Sequence, residues 1–260
     1  MITPIPFTPD PTAKPEVTGF FDADTNTISY LVRDPASDAC AVIDSVMDID
    51  YAAGRITHQG ADRIVAEIRD RGLKLEWIIE THVHADHLSA APYIQEVLGG
   101  KLGIGAEIIM VQETFGKIFN EGTEFQRDGS QFDRLFKDGD SYRIGSLTGH
   151  ALHTPGHTPA CMTHVVGDAA FIGDTLFMPD GGSARADFPG GDARTLYRSI
   201  RRVSPGCSSA TITGRRAAPS ATRPPWPRSG RTSSMSRTAT ARTSSWPCAR
   251  RATKRWRCPS

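Results

Sequence analysis

The stretch Thr81-His82-Val83-His84-Ala85-Asp86-His87 decides how this chain is read. It follows residues 75–80 (LEWIIE), a short and largely apolar run that predicts a buried strand. Three imidazoles and a carboxylate at a strand end put nitrogen and oxygen donors on one short loop, the set that borderline divalent metals favour. Alternation along extended backbone sends His82 and His84 to the same side, and a tighter turn at Asp86-His87 supplies a neighbouring second site. As a mere polar loop, such a cluster would serve no packing purpose.

Two further elements gain meaning from the first. In His153-Thr154-Pro155-Gly156-His157-Thr158, proline and glycine fix a sharp loop between two strands and present one imidazole rigidly. Gly173-Asp174 comes directly after the apolar run 169–172. Alone, a loop histidine is usually solvent-exposed and an aspartate at a strand end often caps a turn. Together with the first motif, His157 and Asp174 read as ligands.

The rest of the chain frames these motifs. Residues 27–33 and 39–44 predict two strands around a turn at Asp34-Pro35, and 61–71 have Ile64, Val65 and Ile68 at helical spacing before Gly72. Ser89 can cap a helix that ends at Gly99-Gly100, and a second helix is expected over 107–119. Strands are expected over 135–137, 142–144, 148–153, 161–166 and 169–172, then a helix over 192–203. The order is strand-rich with interleaved helices, which excludes strict strand–helix alternation around one parallel sheet.

Charge divides the molecule. The 260 residues hold 30 basic and 29 acidic side chains, but residues 204–260 contain eleven Arg, one Lys and no acid. Residues 1–203 therefore carry 18 basic against 29 acidic groups, a net charge of −11. The tail has no Leu, Val, Phe, Tyr or His and cannot bury enough apolar surface to offset the entropy of ordering, about 1–2 kcal/mol per residue. It is expected to be irregular. Dominated by Arg, Ala, Pro, Ser, Gly and Thr, it reads as the out-of-frame translation of a GC-rich gene. The domain division is then an extended segment over 1–18, a catalytic domain over 19–203 and a basic low-complexity tail over 204–260.

No leader or membrane-spanning run is visible, so a cytoplasmic location is expected. Five cysteines without a Cys-x-x-Cys imply neither a thiol zinc site nor a disulfide framework.

The ordered set THVHADH, TPGHT and GDTLF resembles the metallo-β-lactamase superfamily over about residues 19–203. Within it, Arg185-Ala186-Asp187-Phe188 followed by Thr195-Leu196-Tyr197 resembles the persulfide dioxygenases. The resemblance implies an α/β fold, a four-layer α/β/β/α sandwich with the metal site at one edge, its C-terminal part incomplete here. It implies one Fe(II) per chain on His82, His157 and Asp174, and oxidation of a glutathione persulfide-like substrate by O2 to sulfite. Two histidines and one carboxylate are also the set of non-haem iron oxygenases that leave positions open for substrate and O2.

The alternative is a zinc-dependent hydrolase resembling glyoxalase II thioesterases, with one or two Zn(II). There His84 joins the first site, while Asp86, His87, a bridging Asp174 and one further histidine downstream build the second. No histidine follows His164. In relatives, that residue sits in a His-Asp-Tyr stretch of a C-terminal strand followed by a helix. Losing both should uncover one sheet and lower stability. Arg185 and Tyr197 are expected to bind substrate, the guanidinium matching a carboxylate. A nucleic-acid-binding nuclease relative is the third reading, suggested by the basic tail with Trp226, Trp246 and Trp256. The −11 domain repels phosphate, so no specific nucleic acid and no membrane partner are expected. The partners are a small thiol or persulfide and O2, and a homodimer is allowed.

Among the other histidines, His58 reads as a loop residue, and His150 and His164 as structural or exposed. His153, four residues from His157, could support the ligand. Cys161 reads as a small strand residue, since the sequence ties no base to it.

Overall fold

The computed structural model describes residues 7, 10–122, 124–177, 181–206 and 211–213. The first sheet holds β1 (Glu16–Phe21), β2 (Ile28–Arg33), β3 (Ala39–Ile43), β6 (Lys74–Ile79), β8 (Lys101–Gly105) and β9 (Arg134–Phe136), hydrogen-bonded in that order. β1, β2 and β3 pair antiparallel, whereas β3, β6, β8 and β9 run parallel. The second sheet orders β10 (Ser141–Ile144), β11 (Leu147–His153), β12 (Met162–Val166), β13 (Ala169–Phe171) and β14 (Thr211–Thr213). A small sheet of β4 (Val46–Asp50), β5 (Arg55–Thr57) and β7 (Leu88–Ser89) flanks them.

Strand periodicity explains the layering. Along β3, Ala39, Ala41 and Ile43 face the second sheet and pack with Ile144, Ala151, Val166 and Phe171. Cys40 and Val42 point the other way, onto α1 (Gln59–Asp70) and α2 (Ala91–Leu98) through Ile64, Ile68 and Ile94. Covered on both faces, β3 is apolar throughout rather than alternating. In the second sheet Ala151 faces inward, while Leu152, Val165 and Ala170 meet Val203 of α4 (Ala193–Gly206). The remaining helix, α3 (Ile108–Ile118), packs through Ile108 and Val111 against Ile104. Helix, sheet, sheet, helix is the expected four-layer sandwich.

Several boundaries differ from the sequence reading. β1 begins at Glu16, inside the extended segment expected over 1–18. The small β4–β5–β7 sheet is an addition, because three short strands joined by polar turns carry no period to detect. α4 runs to Gly206, past the helix end expected at 203, and Thr211–Thr213 pair parallel with Ala169–Phe171. A C-terminal strand thus lies on β13, where none was expected. The rest of the tail, including the expected irregularity over 214–260, lies outside the described residues, as do residues 1–6. Among the described residues, no helix is long and apolar enough to cross a membrane.

Candidate metal centre

Parallel pairing brings the C-terminal ends of β3 and β6 to one edge of the sandwich, so Asp44 lies beside the 80–87 loop. The second sheet delivers the 154–161 loop after β11 and a short 3₁₀ turn, Gly173–Thr175, after β13. The amide of Met162 donates to the Thr81 carbonyl at 2.8 Å and sews the two sheets together at this edge. Gly173 has φ +48°, and a Cβ there would lie 2.3 Å from Thr81 Oγ1, so only glycine lets Asp174 approach.

His82, His157 and Asp174 converge. Their donor atoms all lie within 4.8 Å of one another, and the three residues are 1%, 5% and 7% exposed. Asp174 Oδ2 is 3.5 Å from His157 Nε2 and 3.9 Å from His82 Nε2. The rings of His82 and His157 stand nearly perpendicular, 5.1 Å apart.

Hydrogen bonds fix which nitrogen of each ring faces this centre. His157 Nδ1 donates to the Arg185 carbonyl at 2.8 Å, leaving the Nε2 lone pair toward Asp174. Thr81 Oγ1 donates to Asp44 Oδ2 at 2.8 Å, so it accepts from His82 Nδ1 at 3.0 Å. Asp44 thereby sets the His82 tautomer through one hydroxyl. A carboxylate or carbonyl behind an imidazole is the usual support of a ligating histidine.

His84, Asp86 and His87 form a second group with donors within the same reach. His87 Nδ1 lies 3.0 Å from the Leu88 carbonyl, while the buried Nε2 has no hydrogen-bond partner. Burial, reinforced by His84, lowers His87 to about 4 and keeps it neutral. An orphaned, neutral nitrogen of this kind suits a cation.

Two residues that the motif reading missed complete the environment. His84 Nε2 lies 2.9 Å from Glu80 Oε2 and 3.4 Å from Asp44 Oδ1, so His84, Glu80 and Asp44 form a third buried group. Ser89 Oγ donates to the other oxygen of Glu80 at 2.6 Å. Burial opposes charge on His84, but the two carboxylates outweigh it and raise its pKa well above the ordinary value. Burial raises Glu80. It also acts against Asp44, where His84 and the Thr81 donors prevail and lower the pKa. Asp44 had a visible signal: like Asp174, it directly follows a run of buried apolar strand residues.

Arg185 enters the site through its backbone. Its guanidinium grips Asp187 through Nε at 2.5 Å and Nη2 at 2.8 Å and lies over the Phe188 ring. Phe188 stands edge-on to His157, centroids 5.2 Å apart. Tyr197 is 62% exposed on α4.

The other candidates are structural. His153 Nε2 lies 2.7 Å from the Pro159 carbonyl and braces the loop of His157. His164 is fully buried, lowered to about 4 by desolvation, and packs edge-on against Phe136 and Tyr142. His150 stacks on Phe7, and His58 on Tyr93. Burial pushes the Cys161 thiol up to about 12 despite hydrogen bonds from Thr158, so it is no nucleophile at neutral pH.

Comparison with known proteins adds relatives of three kinds. A probable metallo-hydrolase of Burkholderia pseudomallei is 56% identical over 197 residues, 72% of this chain and 67% of its own length. The human mitochondrial persulfide dioxygenase ETHE1 is 31% identical over 182 residues, 69% of this chain and 59% of that protein. The chain spans 49% of a β-lactamase hydrolase-like protein of Xylella fastidiosa that it matches at 45% identity. Among solved structures, ETHE1 from Myxococcus xanthus superposes with a TM-score of 0.61 at 26% identity, covering 80% of this chain and 78% of that one. The family model described as the metallo-beta-lactamase superfamily matches residues 24–204, and this chain belongs to that superfamily.

Proposed function

We propose that the chain is an Fe(II) persulfide dioxygenase, with His82, His157 and Asp174 as the ligands of one iron. The observation that supports it best is the convergence of two imidazoles and one carboxylate with both tautomers set by hydrogen bonds. That donor set suits a non-haem ferrous ion with positions left open. The Arg185–Phe188 segment that resembles the persulfide dioxygenases folds directly onto His157, which ties the subgroup signature to the site. ETHE1 relatives in sequence and structure support the same reading.

Iron held by His82, His157 and Asp174 would supply the redox chemistry for coupling O2 to the terminal sulfur. The overall change is RSSH + O2 + H2O giving RSH, sulfite and two protons. The protein's part is to orient and exclude. Asp44, through Thr81, and the Arg185 carbonyl hold the two rings, and Phe188 covers one side of His157 against water. Arg185 receives a substrate carboxylate in exchange for Asp187, an exposed pair that solvent screens, and Tyr197 borders the approach.

The second reading, a zinc hydrolase, is favoured by the His84, Asp86 and His87 group and by the probable metallo-hydrolase among the relatives. Bound zinc would supply an activated water for attack on a thioester carbonyl. The deciding experiment is metal analysis of anaerobically purified protein together with oxygen uptake on glutathione persulfide. Iron with O2 consumption is expected. Zinc with thioester hydrolysis and no O2 uptake would overturn the proposal.

A further inference from the structure

One stripe of α4 holds the loop that carries His157. Leu196, Ser199 and Arg202 follow one another at intervals of three, so they share a helix face, and Asp192 stands immediately before the first residue of the helix. Together they hold Gly156, Pro155 and the end of β11. The Asp192 amide donates to the Gly156 carbonyl at 2.9 Å. The backbone of Leu196 fills the space beside Gly156, where a Cβ would lie 2.3 Å from its nitrogen. Ser199 Oγ donates to the Pro155 carbonyl at 2.7 Å.

Arg202 closes the series. Its Nη1 donates to the His153 carbonyl at 3.0 Å, and both terminal nitrogens grip Asp138 at 2.9 Å. Asp138 Oδ1 in turn accepts the His153 amide at 2.8 Å. Both backbone polar groups of His153, where β11 gives way to the loop, are therefore held by one ion pair. Its arginine side chain is 9% exposed. A planar guanidinium can make this fork, whereas a lysine ammonium cannot.

We infer that α4 is a positioning clamp for the metal ligand His157, anchored by Asp138 and Arg202, neither of which touches the centre. The clamp rests on the ligand reading above but not on which metal binds. An imidazole held to a fixed direction loses less freedom on coordination, so loosening the loop weakens the metal.

The test is Co(II) and Zn(II) affinity of the full chain by chelator competition, with the Co(II) d–d spectrum recorded alongside. R202M and D138N should each weaken binding about 10–100-fold and alter the spectrum. R202K should recover part of the loss, and the D138N/R202M double variant should be little worse than either single change. D34N, in a turn at the opposite edge of the sandwich, serves as a stability control and should leave the affinity unchanged. Should R202M fail to fold, S199A carries the test with a smaller loss. Wild-type affinity and spectrum in R202M, or in S199A where R202M does not fold, would overturn the clamp, as would D34N weakening the metal equally. A wild-type chain that binds no metal at all overturns the ligand assignment and the clamp with it.

Discussion

His82 and His84 stand two residues apart on one loop, with side chains 2% and 6% exposed, yet they face different chemistry. His82 receives its support at Nδ1 from a neutral hydroxyl and turns Nε2 toward Asp174 and His157. His84 spends Nε2 on Glu80 and Asp44. The difference comes from what lies behind each ring. Thr81 interposes a hydroxyl between Asp44 and His82, whereas nothing separates His84 from two buried carboxylates. Metal affinity should therefore depend far more on the first histidine than on the second.

The largest expected effect follows from that contrast. His82→Ala, His157→Ala and Asp174→Ala should each reduce bound metal to background, while His84→Ala should retain one ion with affinity within about tenfold of wild type. Metal analysis after chelator challenge makes the comparison, and equal loss in His82→Ala and His84→Ala would break it.

Gly156→Ala should destabilise the fold by about 2–4 kcal/mol in urea unfolding. Its φ is +136° and the new methyl would collide with the backbone of Leu196. A near-neutral Gly156→Ala would mean that α4 does not press on the loop as described.

Thr81→Val keeps the shape of the site but breaks the link from Asp44 to His82. It should weaken metal about tenfold and leave folding near wild type, whereas unchanged affinity would show that the tautomer needs no such support.

The smallest effect lies away from the metal. Burial works against the charge of Asp34, but the Ser146 and Ala36 amides and the Ser37 hydroxyl outweigh it and hold the carboxyl at about 2. A folded pKa below the unfolded value contributes stability that is present above about pH 4 and is lost as pH falls toward 2. Asp34→Asn should therefore flatten the acid limb of the stability curve between those values. An unchanged limb would contradict it.

How much was legible in the sequence depended on whether a feature is local. THVHADH, TPGHT and GDTLF each close a strand, and side chains there are spared from packing, so their chemistry shows in the residue types. The four-layer sandwich came from the resemblance those motifs carry, while the burial of β3 on both faces, against the second sheet and against the helices, explains why it holds. Glu80 and Asp44 were read only as strand ends. Their partnership with His84 depends on β3 and β6 lying parallel and in register, which no local pattern records. The α4 stripe was hidden likewise, because Arg202 reads as a solvated charge until Asp138 is known to lie beside it.

The last turn of α4 and the short strand Thr211–Thr213 did not show in the sequence because composition is an average over a window. Thr211–Thr213 alone gave too little signal against the arginine-rich residues that follow. The proposed change of reading frame lies after about codon 203, and a strand of three residues does not relocate it. Reading the gene in its other two frames beyond that point should give a His-Asp-Tyr stretch and a helix. Neither frame doing so would remove the explanation.

X-ray absorption spectroscopy of the iron-loaded chain tests the ligand assignment most directly. The expected spectrum shows two imidazole nitrogens with oxygen donors around a single iron. Three imidazoles with a second metal at about 3.5–4 Å would contradict it and favour the two-zinc alternative.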